Sequence, residues 1–531
     1  MTKKRFAEIF FFAIILSFMY YSYLYIEAST FEFDGQKYYV LFDDAMVSMR
    51  YAWNLAHGNG LVWNVGEYVE GITNPAWTAF MALFHLLPVP LSHTSLFVQV
   101  SGAIFLTLNL FVVKQIVSEF TSNVVVILAT VLITASYAPL MIWGLLGMEV
   151  SVLVLILNIV VLKIIKADQQ KFSPAPYIIL GLASLIRIDI IVPYLAILIV
   201  MFFVQPQFRK QHLLWAGILL IFFIGGQSIA RYLYFGEWLP NTYYLKLEGF
   251  PFTLRILRGL YTLFTFIWYS NWVLALLPLS IFIFKRDWKI TLLWLIFLAQ
   301  VAYSAYVGGD AWEHKGGANR FIATTMPLFF VLFTVTLDEF RKLIIEKVQA
   351  KTSRAEMVSN AVMFLLILFS IGNFNALLSD WDNIERWALQ RRASYIRGNE
   401  QNLEYAVEIQ KITKPGASIA VIGAGTTPYF LPDRYGIDLL GKADPVIAHS
   451  PIRTPMSIVD IPDMRPGHMK WDYDYSIGEL KPDLIIILWE GTSEEFAPYK
   501  DEYLRGGTET VPWFWLRKDS PDILWENVVT P

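Results

Sequence analysis

The sequence predicts a polytopic α-helical membrane protein with roughly ten to eleven crossings and a C-terminal soluble α/β domain. Three observations predict it. The 531-residue chain is 56% hydrophobic with a mean hydropathy of +0.47, above the ~45–50% apolar content of water-soluble domains. Apolar runs of roughly 18–25 residues, the length that crosses a ~30 Å hydrocarbon core, recur from Phe6 to about Leu378. From Asp380 to Pro531 those runs stop. The chain therefore divides into a membrane domain, 1–379, and a soluble domain, 380–531. A net charge of −3 gives no reason to expect nucleic acid as a partner. The absence of cysteine excludes disulfides and thiolate metal sites.

The first element follows Lys3-Lys4-Arg5 and covers 6–26. It is longer and more aromatic than a signal-peptide core and lacks a small-residue cleavage site after it. It reads as a retained anchor with its basic end in the cytoplasm. Further apolar segments lie near 76–91, 94–117, 122–141, 148–166, 178–204, 213–235, 259–284, 290–307, 320–337 and 357–378. Four loops carry the cytoplasmic basic signal: Lys163 to Lys171, Arg209-Lys210, Lys285 to Lys289 and Arg341 to Arg354. Placing all four inside demands two adjustments. The 76–91 stretch, short and closed by Pro88 and Pro90, does not fully span. The 178–204 stretch enters and leaves on one side, as a hairpin of two short helices with Arg187 and Asp189 near its outer turn. The alternative is one long helix with a buried ion pair, in which lipid-facing ions carry a penalty of several kcal/mol. The outer side then receives 27–75, the turn at Gly144 to Glu149, 236–258, 308–319 and the C-terminal domain.

The C-terminal domain shows buried-strand patterns at 418–422 and 484–488 and a helical stretch at 399–412, the marks of a small α/β unit. Gly423-Ala424-Gly425-Thr426 has part of a dinucleotide-binding turn, without the third glycine or an acidic strand end.

Candidate chemistry concentrates in the outer loops. Adjacent Asp43 and Asp44 suit a general base for an acceptor hydroxyl, or ligands of a divalent cation that offsets a phosphate. The bland alternative is an amphipathic helix with Asp44 as its N-cap. Arg50, one to two helical turns on, is placed to pair with these acids or to clamp a phosphate. Gly308-Gly309-Asp310, Glu313-His314 and Asn319-Arg320 form a second cluster. It matches no strong metal-ligand spacing. Arg320 opens a membrane helix at the interface, where snorkelling is its structural alternative. Lys246, after Asn241, is a natural phosphate donor, and Glu149 is an isolated acid beside an apolar run.

The Asp-Asp loop with Arg50-Tyr51, Gly60-Leu61-Val62-Trp63-Asn64 and Glu70-Gly71-Ile72-Thr73-Asn74 resembles the first outer loop of bacterial polyprenyl-phosphate-dependent glycosyltransferases of the GT-C fold. The chain is most similar to the terminal arabinofuranosyltransferases of mycobacterial-type cell walls. The 239–246 stretch, Gly308-Gly309-Asp310 with Arg320, 437–441 through Asp444, and Pro466-Gly467-His468 also resemble that group, in the same order. Trp312-Glu313-His314 and Lys442-Ala443 depart from it.

The resemblance implies a GT-C-like catalytic domain in the inner or plasma membrane. Its donor would be a polyprenyl-phosphate sugar, with arabinofuranose the sugar suggested, and its acceptor an outward-facing cell-wall glycan or glycoconjugate. Asp43 and Asp44 become the catalytic acids or the ligands of a metal, whose involvement stays open. Arg50, Lys246 and Arg320 become phosphate partners. Tyr51, Glu70, Asn74, Glu149, Arg187, Asn241, Asp310 and His314 line the cavity, and Asp444 and His468 face the acceptor. The competing readings are a flippase of a lipid-linked sugar, against which the lack of a visible internal repeat stands, and a non-catalytic glycan-binding scaffold.

Overall fold

The structure, a computed structural model, describes residues 3–313, 318–347 and 353–530. It is a helical bundle carrying a C-terminal α/β region. The chain opens with α1 (Lys3–Ala28), followed by a hairpin of β1 (Thr30–Phe33) and β2 (Gln36–Tyr39). α2 (Asp43–Ala56) is short and almost wholly buried, and an irregular loop leads to α3 (Pro75–His85). α4 (Leu91–Ser118), α5 (Val124–Ala135), α6 (Ala138–Leu145) and α7 (Val150–Lys166) follow.

The apolar stretch expected over 178–204 breaks into α8 (Ala175–Ala183) and α9 (Ile191–Val204). Arg187 takes an extended backbone (φ −160°, ψ 127°) at the break. The break expected at Arg187 is present and a single long helix is not, while Arg187 and Asp189 form a buried ion pair at 2.6 Å. α10 (Arg209–Leu220) and α11 (Gly226–Phe235) are joined by a π turn, Ile221–Gly225, into one continuous rod. α12 (Asn241–Leu247) precedes α13 (Phe252–Tyr269). The chain then turns by 106° into α14 (Trp272–Leu276) and α15 (Ile281–Phe284), so the apolar stretch expected over 259–284 is a bent pair and not one straight helix. Asn271 makes the turn: its φ is +65° and its side chain caps the amide of Val273 at 3.1 Å. α16 (Trp288–Tyr306), α17 (Arg320–Lys347) and α18 (Ser353–Phe374) complete the bundle.

α17 is the central post, with nearly every residue from Arg320 to Thr336 buried. Its Thr334 meets Thr130 of α5 at 2.6 Å, a polar contact suited to helix pairing in lipid. Six described helical runs are long and apolar enough to cross a membrane, and two bent pairs raise the number to eight. The count falls below the expected crossings because α3, α7, α8 and α9 are shorter than the ~20 residues a full span takes. α3, in the stretch expected not to span, is 11 residues long.

The C-terminal region begins with α19 (Trp381–Trp387) and α20 (Ile396–Ile412). Its five-stranded sheet has the order β4 (Tyr435–Asp438), β3 (Ser418–Val421), β5 (Leu484–Ile485), β7 (Phe514–Arg517), β6 (Tyr503–Gly506). β3 is parallel to β4 and β5, while β7 runs antiparallel to β5 and β6. α21 (Thr426–Phe430) and α22 (Pro445–His449) follow β3 and β4. The carboxyl ends of the three parallel strands face the bundle, the edge where open α/β sheets place their ligands.

Candidate functional site

α2 begins at Asp43, with Phe42 in the N-cap position and no side-chain cap bond. Asp44 therefore does not cap its own helix, and both acids are free to point away from it. The helix N-terminus stabilises negative charge there. Asp43 Oδ1 accepts the backbone amide of Thr426 at 2.8 Å and Asn402 Nδ2 at 3.4 Å. The contact depends on Gly425, where an added Cβ would sit 2.0 Å from the Asp43 carbonyl oxygen. The glycine pair read as a fragment of a nucleotide turn serves instead to let the α/β region close onto α2.

Asp44 carries a cation on each oxygen: Lys442 Nζ at 2.6 Å and Arg320 Nη1 at 3.5 Å. Burial alone raises its carboxyl, but Lys442, Arg320 and Lys246 outweigh burial and hold it below the ordinary range. Asp43, with less cationic company, is raised by burial. Arg320 is held from behind by Asp310 in a two-pronged pair, at 2.7 and 3.0 Å. Gly308 (φ +86°) and Gly309 (φ +79°) turn the chain sharply after α16 so that Asp310 faces Arg320. Glu313 braces this turn, accepting the Asp310 amide at 2.9 Å and pairing with the buried Arg258. His314 falls outside the described residues.

Two cavities meet at this cluster. One, of about 390 Å³, lies between bundle and sheet and is lined by Asp43, Asp44, Lys246, Trp312, Tyr395, Asn402, Asp438, Lys442, His468 and Trp489, among others. The other, of about 180 Å³, lies among the helix ends and is lined by Arg187, Asp189, Tyr243, Lys246, Asp310, Arg320 and neighbours. Lys246 borders both. Its side chain passes Gly467, where a Cβ would meet Lys246 Cε at 3.1 Å. Among the described residues Lys246 has no hydrogen-bond or ion-pair partner, and burial pushes its pKa down. A half-buried ammonium without a partner favours an arriving anion.

Several expected cavity residues hold the walls from behind. Asn74 donates to Glu149 at 2.9 Å, and Glu149 pairs with Arg187 at 2.9 Å, setting that guanidinium at the helix-end cavity. Asn241 gathers the carbonyls of Gly441, Lys442 and Asp444 at 2.9 to 3.1 Å, fixing the turn that delivers Lys442. Glu70 pairs with Arg231, and Tyr51 Oη bridges Val69 and Gly71. Asp444 caps α22 through the Ile447 amide at 3.0 Å.

Arg50 requires the largest correction. It is buried and donates to the carbonyls of Trp63, Pro428, Leu431 and Arg434 and to Asn64, which leaves no donor for a phosphate. It clamps the first loop to the α/β region. The acid pair also does not fit a divalent cation, because Asp44 already faces two cations and Asp43 accepts a backbone amide. Among the described residues no cluster of three metal-ligating side chains exists.

Lys442 and Asp438 also line the larger cavity, and neither stands out in the sequence as a site residue. Lys442 registered only as a departure from a family pattern. Asp438 ends β4 and accepts the amides of Leu440 at 3.0 Å and Ala443 at 2.7 Å, shaping the Lys442 turn. Burial raises its carboxyl to about 6. His468 stands between Trp312 and Trp489, ring centroids 5.4 and 5.6 Å away, and burial lowers it to about 4.

A family model for a domain of unknown function, DUF8728, matches residues 389–519. No curated protein sequence matches the chain. Among solved structures, it is similar to ArnT from Cupriavidus metallidurans in the apo state, with a TM-score of 0.57, 14% identity, and coverage of 97% of this chain and 98% of that one. The same enzyme bound to undecaprenyl phosphate gives 0.55 at 12% identity, covering 92% and 94%. The apo oligosaccharyltransferase of Archaeoglobus fulgidus gives 0.50 at 12% identity, covering 99% of this chain and 76% of that one. These neighbours are GT-C membrane glycosyltransferases, and the chain shares their fold.

Proposed function

We propose that the chain is a membrane glycosyltransferase that moves a sugar from a polyprenyl-phosphate carrier to a glycan or glycoconjugate held under the C-terminal region. The observation that carries this reading is the unpartnered Lys246 on the wall between two cavities, one at the membrane end and one beneath the sheet. A lipid phosphate entering among the helix ends meets Arg187, Arg320 and Lys246. The acceptor enters the larger cavity, where Trp312, Trp489, His468 and Tyr395 offer faces for a sugar ring. Asp43, raised by burial and bordering that cavity, takes the acceptor hydroxyl proton as general base. Asp44 is too strongly paired for that task and keeps Arg320 and Lys442 aimed at the junction. The cations then stabilise the departing phosphate, where one preorganised donor contributes ~3 kcal/mol.

The same reading places the site outside. Lys166 and Lys289 converge on Glu119, Lys285 and Lys342 on Glu339, and Gln205 and Gln207 on Gln169. The four basic loops thus gather at the end opposite the site, which suits a cytoplasmic face with the C-terminal region extracytoplasmic. Arabinofuranose as the transferred sugar rests on the resemblance of the motifs alone.

The test is sugar transfer by the protein in nanodiscs, given a panel of polyprenyl-phosphate sugars and cell-envelope glycan acceptors. Wild type transfers one sugar, and the folded Asp43→Asn variant does not. Movement of intact donor across the bilayer by both proteins, with no transfer, would replace this reading with a flippase.

A further inference from the structure

The loop over 450–465 leaves the C-terminal region and lies along the start of α13. Its underside is apolar: Ile452, Met456, Ile461 and Met464 pack with Leu254 and Leu257 of that helix. Arg258 Nε donates to the carbonyl of Met464 at 3.2 Å, so the loop runs alongside the first two turns of α13. At its tip, Ile458 is 70% exposed and Val459 83% exposed. Two neighbouring aliphatic side chains this open are unusual for a surface facing water.

The tip is built rather than slack. Ser457 and Asp460 form a reciprocal cap, with the Asp460 carboxylate accepting the Ser457 amide at 2.8 Å and hydroxyl at 2.6 Å. The amides of Asp460, Asp463 and Met464 are bonded within the same turn. These bonds hold Ile458 and Val459 at the apex of an ordered turn.

What surrounds it follows from α13. Leu260, Phe264 and Trp268, all exposed, recur at four-residue spacing on an outward stripe of this apolar helix. The loop packs on Leu254 and Leu257, and Leu257 lies one turn ahead of Leu260, so the loop meets that stripe at its beginning. We propose that the 450–465 loop inserts Ile458 and Val459 into the lipid leaflet on the side of the C-terminal region. Pro466 borders the helix-end cavity, and Gly467 and His468 border the larger one, so the anchored loop runs directly into both walls. A bilayer contact there holds the α/β region down over the point where a lipid-borne substrate arrives. The inference needs the chain to be embedded in a membrane and does not depend on the transfer reaction.

The chain has no cysteine, so single substitutions report cleanly. Ile458→Cys and Val459→Cys, labelled with a bimane fluorophore in nanodiscs, would be compared with two references. Leu260→Cys lies on the α13 stripe, and Asp519→Cys lies just past β7, at the sheet edge away from the bundle. Shallow acyl-chain doxyl quenchers should dim the tip labels and Leu260→Cys but not Asp519→Cys, and aqueous iodide should do the reverse. Iodide quenching at the tip with lipid quenching at Leu260→Cys overturns the inference. Protection from both quenchers together with a 458–458 cross-linked dimer also overturns it, in favour of a second copy of the chain. Loss of lipid quenching at Leu260→Cys removes the membrane placement of α13 and the inference with it.

Discussion

Replacing Lys442 by Gln tests whether the C-terminal region supplies part of the active site. The Nζ to Asp44 distance is 2.6 Å, and the two side chains are 23% and 19% exposed. At an effective dielectric of about 20, unit charges near 3 Å apart attract by roughly 5 kcal/mol. Desolvation and partial exposure reduce the net contribution to about 2 kcal/mol. Lost from the transition state, that lowers kcat/KM by about 30-fold. The assay is initial-rate sugar transfer for wild type, Lys442→Gln, Asp44→Asn and the double variant, read together with the thermal midpoint of each. A coupling of about 2 kcal/mol is expected, so Lys442→Gln should do little further harm once Asp44 is neutral. The acid side should shift as well. Asp44 is depressed when folded, so its stabilisation is present above the ordinary unfolded carboxylate value and is lost as pH falls through the folded one. Without Lys442 that loss begins at higher pH. Equal effects of Lys442→Gln in both backgrounds would refute a direct partnership across the two regions.

Lys246→Ala should weaken binding of undecaprenyl phosphate by about 10-fold or more, about the 1.5–3 kcal/mol of a charge-assisted bond, with Lys246→Arg partly restoring it; equilibrium binding in nanodiscs checks this. Gly425→Ala should abolish transfer and open the contact between α2 and the α/β region to protease, because its Cβ meets the Asp43 carbonyl at 2.0 Å. Asp438 is raised to about 6 when folded, so the folded state binds more protons than the unfolded one above pH ~4, and stability falls as pH rises toward 6. Between pH 4.5 and 7.5 the fall is roughly 2 kcal/mol. Thermal midpoints at pH 4.5 and 7.5 should show it in wild type and not in Asp438→Asn.

Much of the bundle was legible because apolar length and loop charge are local signals. The break at Arg187, the short α3 and the clustering of basic loops at one end all follow from composition read against the thickness of a bilayer. The acids of α2 and the Asp310–Arg320 pair were likewise visible, since charges beside membrane helices lack a bland explanation. What stayed hidden depends on contacts between distant parts of the chain. Arg50 looks like a phosphate clamp in sequence, and only the fold shows five acceptors closing around it. Lys442 sits in a turn whose destination is set by β4, Asp438 and Asn241 together. The bend at Asn271 was missed because an apolar run carries no record of its direction.

The two halves of the site are far apart in order of synthesis. Lys442 and Asp44 are separated by 398 residues, and Arg50 meets carbonyls 378 to 384 residues downstream. A growing chain therefore carries an acid pair and an arginine whose partners in the α/β region are absent until most of it has been made. Contacts of such span form late and slowly, so the site is among the last features to mature. A chain that stops before β4 lacks the turn that brings Lys442 to Asp44, and with it the wall between the two cavities.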